Sequence, residues 1–476
     1  MPCLLKSKYH QKTTRLLPAF KLMLLVLPLL LAAEAHATTY ATWLMVWNGH
    51  TEKWWKPTDY EGARVYVGGT WKAIDWADNS QINEYLDNCK KAGIQLVIVD
   101  LTNGWGWLNT RSQYMQSLCA QKGLKFCVAE NSLGNAATFE THAQDIWNNF
   151  AGPTAPHAPT YVTDGGKSLI VCYSTREWFH TINSSPGPWR SKFKVVWASG
   201  EDSDANKWGW QLEPWIGSVP SPEAMFVTSA IKWNSTDETM WRKSLAWLDY
   251  NFALAKSKSP AYIIVGSYDD IHERNSWLVA DTANCIPGCQ MRDQAGAIST
   301  TAYYQRVQQW IAGTPPSVPG GYLRDGAYRV LNRNSGKALS FLPTDSTKPT
   351  NGSNATVGSK LVQAAPSNAF YNYFWFYHLG HNQYKIMPLH SGLALEAPNG
   401  DSHDGLQIDQ GWNTTDAWQR WTVQRVRGSW YRIQNEATGK VLEVSGALRG
   451  DGAAVVQGLK NKNTNQQWRF ERIVGL

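Results

Sequence analysis

The C-terminal third of the chain contains three copies of one sequence pattern, and this repetition constrains the fold more than any other feature. The segments YRVLNRNSGKALSF, YKIMPLHSGLALEA and YRIQNEATGKVLEV begin at three tyrosines, Tyr328, Tyr384 and Tyr431. Each unit ends near a tryptophan, with spacings of 46 and 47 residues, at Trp375, Trp421 and Trp468. Units of short strands and turns cannot each bury a core, so we expect the three to close around a shared threefold axis.

The repeats resemble the ricin B-type lectins, which are β-trefoils with a Gln-x-Trp motif in each repeat. The motif occurs as Gln419-Arg420-Trp421 and Gln466-Gln467-Trp468, and the first repeat has Tyr373-Phe374-Trp375 in its place. The resemblance covers residues 322–476 and implies an all-β carbohydrate-binding trefoil there.

In that family a sugar lies on an aromatic side chain and bonds an acid early in the repeat. The resemblance therefore implies a set of sugar-binding residues in the second and third repeats: Glu396, Trp412, Gln419, Glu443 and Gln466. The third repeat has Leu459 at the aromatic position, and the first has Ser340 in place of the acid. The alternative is a trefoil that only packs against its neighbour, because a tryptophan at the end of each repeat is needed for the core in any case.

A domain boundary is predicted at TPPSVPGG, residues 314–321. Three prolines and two glycines there follow the helix-like segment TTAYYQRVQQWIAG and cannot continue it. The chain then divides into an N-terminal domain, residues 38–313, a linker, and the trefoil.

The N-terminal domain alternates short apolar runs with segments of helical periodicity. DNSQINEYLDNCKKAG and DETMWRKSLAWLDYNFALAK are the clearest helices, and the pattern predicts an α/β fold with a parallel sheet. Eight strands in this length favour a TIM (β/α)8 barrel, with an open doubly wound sheet as the alternative. The predicted strands are 43–47, 96–99, 125–128, 169–172, 195–198, 210–212, 225–227 and 262–265.

Residues 1–37 have the three parts of a secretory signal peptide: a basic region, an apolar core at Leu22–Leu31, and a small-residue cleavage site at Ala35-His36-Ala37. A retained N-terminal anchor is the alternative. With cleavage we expect a secreted, extracellular or periplasmic protein without membrane association. We also expect a monomer.

Cleavage after Ala37 lowers the formal charge from +7 to +3 and leaves no dense run of Lys or Arg, so no nucleic-acid partner is expected. The six remaining cysteines permit disulfides, with Cys285 and Cys289 able to close a small loop. No Cys/His cluster of zinc spacing and no phosphate-binding glycine loop occurs, so no metal and no cofactor are predicted.

Acidic residues follow several predicted strands, which is where barrel enzymes build their sites. They are interleaved with aromatic residues, and the chain holds 26 Trp, whose flat apolar faces suit sugar rings. We therefore predict a polysaccharide-binding cleft with these substrate contacts: Asp100, Trp105, Glu130, Tyr173, Glu213 and Tyr268.

The segment GSYDDIHERNSW, residues 266–277, follows the last predicted strand. It resembles the signature loop, W-N-[DE]-W-x-E, of two barrel families of glycoside hydrolases: the endo-α-mannosidase/mannanase type and the fungal α-1,3-glucanase type. The resemblance implies Asp270 and Glu273 as the two catalytic carboxyl groups. Asp269 stands where the pattern has Asn, and Ile271 where it has Trp. The alternative is a helix capping box, which has the same spacing.

Together these features predict a secreted glycoside hydrolase, endo-acting on an α-linked glucan or mannan and held to the polymer by its trefoil. Two carboxyl groups supply the acid and the base or nucleophile that glycosidic cleavage requires. A catalytically inactive lectin on a barrel scaffold is the rival from another class. An enzyme acting on peptidoglycan or a glycoconjugate with the same fold is a third possibility.

Overall fold

The computed structural model describes the chain over these ranges: 37–45, 62–75, 78–102, 106–131, 135–198, 208, 223–229, 242–269, 276–342 and 356–475. Several predictions fall outside them, namely the signal peptide, the strand at 210–212 and the residues Trp105, Glu213, Asp270 and Glu273.

The N-terminal half contains eleven described strands and six described α-helices. The strands are β1 (Thr39–Leu44), β2 (Arg64–Val67), β3 (Thr70–Ala73), β4 (Leu96–Asp100), β5 (Lys125–Glu130), β6 (Thr163–Asp164), β7 (Lys167–Tyr173), β8 (Phe193–Ala198), β9 (Ala224–Val227), β10 (Tyr262–Ser267) and β11 (Ala280–Asp281). The helices are α1 (Asn79–Ala92), α2 (Gly106–Lys122), α3 (Ala136–Ile146), α4 (Arg176–Ser184), α5 (Leu245–Lys258) and α6 (Ala302–Ala312).

Seven of these strands form one parallel sheet in the order β8-β7-β5-β4-β1-β10-β9, with the short β6 antiparallel to β7. They correspond to seven of the eight strands predicted from the sequence. β4 is buried along its whole length, as expected of a parallel strand covered on both faces. A separate antiparallel sheet joins β11, β2 and β3.

The parallel sheet is curled. Its two outer strands, β8 and β9, come close together at the edge where the parallel strands begin. Lys194 of β8 forms an ion pair with Glu223, the residue directly before β9. The same lysine contacts Asp164 of β6 at 2.8 Å, and the Tyr262 hydroxyl of β10 lies 3.4 Å from that carboxylate. The described strands are therefore a curled sheet flanked by helices.

Local sequence signals account for the helix ends. The Asp78 side chain accepts the Ser80 backbone N–H at 2.7 Å at the start of α1, which ends at Gly93 in the left-handed conformation. Asn135 and Thr175 cap α3 and α4 in the same way. These are the positions at which side-chain oxygens satisfy the unpaired N–H groups of a first turn.

The C-terminal region is an all-β domain of twelve strands: β12 (Gly326–Asn332), β13 (Ala338–Ser340), β14 (Val362–Ala364), β15 (Phe374–Gly380), β16 (Gln383–Pro388), β17 (Ala394–Glu396), β18 (Asp409–Gly411), β19 (Arg420–Arg427), β20 (Trp430–Asn435), β21 (Val441–Val444), β22 (Val455–Gly458) and β23 (Trp468–Gly475). Six of them pair in a closed antiparallel ring, β12-β15-β16-β19-β20-β23 and back to β12. The other six form three hairpins, one in each repeat.

Threefold symmetry extends to buried side chains. Each hairpin holds a buried glutamine whose Oε1 accepts a hydroxyl from the preceding turn of its repeat. The pairs are Ser335 with Gln363, Ser391 with Gln410, and Thr438 with Gln457, at 2.7, 2.7 and 2.8 Å. Trp421 and Trp468 are fully buried in the domain core, where they are the register partners of Tyr384 and Tyr431. In the first repeat the partner of Tyr328 is Phe374, so Phe374 occupies the core position, and Trp375, one residue later, is buried in the core shared with the N-terminal half. This is the β-trefoil arrangement that the repeats predict.

The two halves share a core, and residues Thr38–Leu476 form one compact unit. Phe370 of the trefoil packs edge-on against Trp247 and Tyr250 of α5, with ring centroids 5.3 and 5.4 Å apart. The buried carboxylate of Asp249, also on α5, accepts the Tyr377 hydroxyl of β15 at 2.5 Å.

The Asp249 carboxylate has two further partners on α6. It accepts the Trp310 indole N–H at 2.7 Å, and the Arg306 guanidinium lies 3.5 Å away. Burial raises the pKa of Asp249, while Arg306 and the two hydrogen bonds oppose that rise. The trefoil is thus docked by a buried polar network as well as by aromatic packing.

Within the described residues no helix is long and apolar enough to cross a membrane. The six cysteines from Cys89 to Cys289 are all buried free thiols, so the small loop at Cys285 and Cys289 is not closed by a disulfide.

Candidate functional sites

The second trefoil repeat brings together the three residues that the sequence implies for sugar binding. Glu396 ends β17, and Gln419 lies just before β19. The Gln419 amide N–H donates to Glu396 Oε2 at 2.6 Å and to the Trp412 carbonyl at 2.7 Å. One amide therefore fixes the carboxylate and the backbone of the aromatic residue together.

The third repeat has the same geometry. The Gln466 amide N–H donates to Glu443 Oε2 at 2.7 Å and to the Leu459 carbonyl at 2.8 Å. The two repeats differ in the side chain that would lie beneath a sugar. The second repeat has the aromatic Trp412, which is partly exposed, and the third has the aliphatic Leu459, which is 66% exposed.

Two glycines make room for the acidic side chains. A Cβ at Gly411 would lie 2.4 Å from both Glu396 carboxylate oxygens, and one at Gly458 would lie 2.8 Å from the Glu443 carboxyl carbon. The first repeat has Ala364 at this position, opposite a strand that ends in Ser340. Acid and glycine therefore occur together. The strand register places Asn372, rather than Tyr373 as the sequence predicts, at the position of the glutamine in the first repeat, so that repeat lacks both the acid and the glutamine.

Lys385 is a buried cation that the sequence analysis did not predict as part of this site. Its ammonium donates to Gln419 Oε1 at 3.0 Å and to the Thr414 carbonyl. Burial, with the nearby Arg420 charge, lowers the pKa of Lys385 to about 7. Burial likewise raises the pKa of Glu396, against the Gln419 hydrogen bond. A Lys385-Gln419-Glu396 chain of hydrogen bonds thus lies under the second repeat.

The loop that carries Trp412 also contacts the N-terminal half. The Asn413 amide N–H donates to the Asp293 carbonyl at 3.2 Å, and Gly296 lies so close to Thr414 that a Cβ there would be 2.2 Å from its carbonyl oxygen. The second repeat is therefore held against the first domain.

In the N-terminal half, the register of the parallel sheet separates two predicted substrate contacts from a third. Asp100 pairs with Ala129, and Ala129 with Val171, so Asp100 shares a face of the sheet with Tyr173 two residues further along β7. Glu130 is one residue after Ala129 and belongs to the opposite face.

Glu130 points to the helix layer, where its Oε2 lies 3.0 Å from His142 Nδ1 of α3. The carboxyl group is fully buried, and burial raises its pKa although the hydrogen bonds from His142 and Cys172 oppose the rise. Its position places it between β5 and α3 rather than on the face that carries Asp100 and Tyr173.

Tyr268, another predicted substrate contact, is also in the core. Its ring packs against Trp277 at 4.7 Å and Tyr85 of α1 at 5.4 Å, and burial raises its pKa well above the usual value. The next residue, Asp269, is a buried carboxylate whose Oδ1 accepts the Met45 N–H at 3.1 Å at the end of β1.

Besides Glu130, which faces the helix layer, the carboxyl edge of the sheet carries two acids in the described residues: Asp100 at the end of β4, and Asp269, two residues after the end of β10. Asp100 Oδ1 also accepts the Thr102 N–H at 2.7 Å. The predicted catalytic residues Asp270 and Glu273 follow Asp269 directly and lie outside the described residues. Among the residues with described positions, no group of three or more His, Cys, Asp or Glu could hold a metal ion.

A family model described as ricin-type β-trefoil lectin domain-like matches residues 306–412, 372–458 and 417–475, in three overlapping matches that together span the repeats. The C-terminal region is a ricin-type β-trefoil lectin domain. Lectin domains of this type bind carbohydrate, in agreement with the sequence prediction. A comparison with curated proteins gave no significant match.

Three solved structures are similar to part of this chain. A designed threefold-symmetric protein, ThreeFoil, is 29% identical; the match covers 31% of this chain and all of that chain, with a TM-score of 0.29. An exo-β-1,3-galactanase from Clostridium thermocellum is 21% identical over 37% of this chain and 33% of its own length, with a TM-score of 0.29. A Polyporus squamosus lectin is 16% identical over 33% of this chain and 50% of that chain, with a TM-score of 0.26.

Proposed function

We propose that this protein is a secreted polysaccharide-binding protein that holds its ligand mainly through the second repeat of the lectin domain. The observation that carries the proposal is the bond between Gln419 and Glu396, which fixes a carboxylate beside the partly exposed Trp412. A fixed carboxylate accepts hydrogen bonds from sugar hydroxyls, and an indole face packs against the C–H face of the ring.

The third repeat is a second, weaker candidate for the same ligand. Its Glu443-Gln466 hydrogen bond and its Gly458 correspond to the Glu396-Gln419 bond and Gly411 of the second repeat, but Leu459 offers no aromatic face. The first repeat lacks the acid and the glutamine, so we assign no sugar to it.

Retention on insoluble α-glucan or α-mannan tests this proposal. We expect Trp412→Ala to abolish retention, because the stacking surface is lost, and to leave turnover of soluble oligosaccharides near that of the wild type. Asp451→Asn is a matched control, since this exposed acid of the same domain pairs only with Lys337 among the described residues. Unchanged retention in Trp412→Ala would show that the ligand binds elsewhere or that the trefoil has a packing role.

We further propose that the N-terminal half is a glycoside hydrolase that acts on the α-linked polymer held by the lectin domain. A curled parallel sheet with acids after β4 and β10 supports this idea, because barrel enzymes place catalytic groups at that edge. The remaining strand predicted from the sequence, at residues 210–212, lies outside the described residues.

In this proposal Asp270 and Glu273 are the catalytic carboxyl groups, one protonated to donate to the leaving oxygen and one ionised. Asp100 and Tyr173 are the substrate contacts that share a sheet face, whereas Glu130 and Tyr268 are core residues.

Release of reducing ends from α-glucans, α-mannans and β-glycans tests the activity. Glu273→Gln and Asp270→Asn should each lower turnover by several orders of magnitude, because the amides keep the side-chain volume but lose the proton or the charge. Glu177→Gln, at an exposed position on α4, is the matched control and should retain activity.

Two results would contradict this second proposal. Full activity of both amide variants would remove the catalytic assignment. A wild-type protein that binds polysaccharide but releases no reducing ends from any polymer would favour the inactive lectin.

A further inference from the structure

An exposed face of the lectin domain, formed by residues other than the implied sugar-binding residues of the repeats, combines a tryptophan with several cations. Trp430 begins β20 and is partly exposed. The guanidinium carbons of Arg333 and Arg469, both exposed, lie 5.4 and 5.9 Å from the centroid of its ring.

The strand register adds three more cations to this face. Arg427 is the partner of Trp430 across the β19-β20 hairpin, and Arg432 lies two residues beyond Trp430, on the same side of the strand. The Lys460 ammonium donates to Gln424 at 3.2 Å, and Gln424 is the register partner of Arg432. We call these residues, with Arg333 and Arg469, the Trp430 patch.

The acidic residues of the domain neutralise this patch only in part. Glu471 bonds Arg469 at 2.8 Å and also contacts Arg329 at 3.3 Å, so one carboxylate serves two guanidinium groups. Residues 322–475 contain 17 Lys and Arg against 11 Asp and Glu. An excess of positive charge therefore remains beside the indole.

The threefold symmetry of the fold provides an internal control. The positions that correspond to Trp430 are occupied by Ala327 and Gln383 in the other repeats, and those that correspond to Arg469 by Trp375 and Thr422. Leu389 and Glu436 correspond to Arg333. The same fold forms three times and carries the Trp430 patch once, so the trefoil does not need the patch for its stability.

We propose that the Trp430 patch binds an anionic polysaccharide, a polymer of uronic acid or sulfated sugars. An indole provides a face for a sugar ring, while arginine forks bind carboxylate or sulfate groups through paired hydrogen bonds. A single aromatic platform fits one sugar ring among charged groups, whereas single-stranded nucleic acid requires successive stacking platforms. This site is additional to the neutral-sugar positions of the second and third repeats.

Affinity for polygalacturonate, measured by retention on the immobilised polymer in a salt gradient, tests the proposal. We expect the wild type to be retained and Arg333→Gln/Arg469→Gln to bind about tenfold more weakly, because two charge-assisted contacts are lost. Lys90→Gln/Lys167→Gln removes the same charge from exposed positions of the N-terminal half and should elute with the wild type. Retention on neutral α-glucan should be the same for all three proteins.

Trp430→Leu separates recognition of the sugar ring from attraction to charge. It should weaken binding to polygalacturonate and leave binding to polyphosphate, which has no sugar ring, unchanged. Equal retention of the wild type and the double arginine variant on polygalacturonate would overturn the proposal. So would tighter binding of the wild type to double-stranded DNA than to polygalacturonate at the same salt concentration, which would indicate a nucleic-acid surface.

Discussion

The hydrogen bond between Tyr377 and Asp249 offers the sharpest test of how the two halves are joined. Tyr377→Phe removes one hydroxyl and keeps the ring, so the packing against Trp375 and the contact with Arg306, at 5.9 and 5.8 Å, are preserved. The lost bond is short, at 2.5 Å, fully buried, and made to a carboxylate. Hydrogen bonds to charged groups contribute about 1.5–3 kcal/mol, so we expect the free energy of unfolding to fall by about 2 kcal/mol.

A second tyrosine provides the control. The Tyr328 hydroxyl donates to the Arg324 carbonyl at 2.8 Å in a partly buried site, so Tyr328→Phe removes a neutral hydrogen bond worth about 0.5–1.5 kcal/mol. Urea unfolding followed by tryptophan fluorescence compares the two variants. Both halves share one core, and we therefore expect the wild type to unfold in one transition.

The pH dependence gives a second readout of the same bond. The pKa of Asp249 is raised in the folded state, so its contribution to stability is complete below its unfolded pKa and is lost as pH rises through the folded pKa. Without the Tyr377 hydroxyl, which opposes the rise, the folded pKa moves further up. The deficit of Tyr377→Phe should therefore be larger at pH 7 than at pH 4. A deficit at pH 7 no larger than that of Tyr328→Phe would refute the argument.

Two further predictions concern the second repeat. Gly411→Ala should reduce retention on polysaccharide as strongly as Glu396→Ala does, because the new Cβ would lie 2.4 Å from the Glu396 carboxylate. Gly450→Ala is the control, since a Cβ there would have nothing within 4 Å. Wild-type retention in Gly411→Ala would contradict the packing argument. Lys385→Met should remove a pH-dependent component of stability. The lysine keeps its proton up to a pKa of 10.5 in the unfolded chain but only up to about 7 in the folded protein. The stability of the wild type should therefore increase as the pH rises from 7 towards 10.5, and that of Lys385→Met should not. Parallel unfolding midpoints of the two proteins from pH 7 to 9 would exclude this.

The trefoil could be predicted from sequence because the same constraints recur three times. The spacing alone shows a tryptophan near the end of each repeat, an acid early in two of them and a glutamine before two of the tryptophans. Only the register shows that Phe374, and not Trp375, takes the core position in the first repeat. The ring of six strands follows because no single repeat can bury its own core.

The orientation of side chains at the sheet edge could not be predicted in the same way. Glu130 and Asp100 both end apolar runs and look alike in the sequence, but the register puts them on opposite faces, and register depends on strand pairing across the sheet. Tyr268 likewise follows a strand, and only its contacts with Tyr85 and Trp277 show that it belongs to the core.

Lys385 was missed for a different reason. Arginine or lysine follows the first tyrosine of every repeat, at Arg329, Lys385 and Arg432, so the position reads as a solvated charge. The lysine is buried because the Trp412 loop folds over it and contacts the N-terminal half at Asp293. The signal for its burial therefore lies in tertiary contacts.

The docking of the trefoil by Asp249 has a geometric consequence if the N-terminal half is the proposed hydrolase. A polymer strand bound at the second repeat has little freedom to move relative to the N-terminal half, because aromatic packing and a buried hydrogen bond join the two halves in one compact unit. The distance from the held sugar to the sheet edge is then constant from one cleavage to the next. The products of cleavage would then have a preferred chain length, set by the distance between the sugar-binding site and the sheet edge.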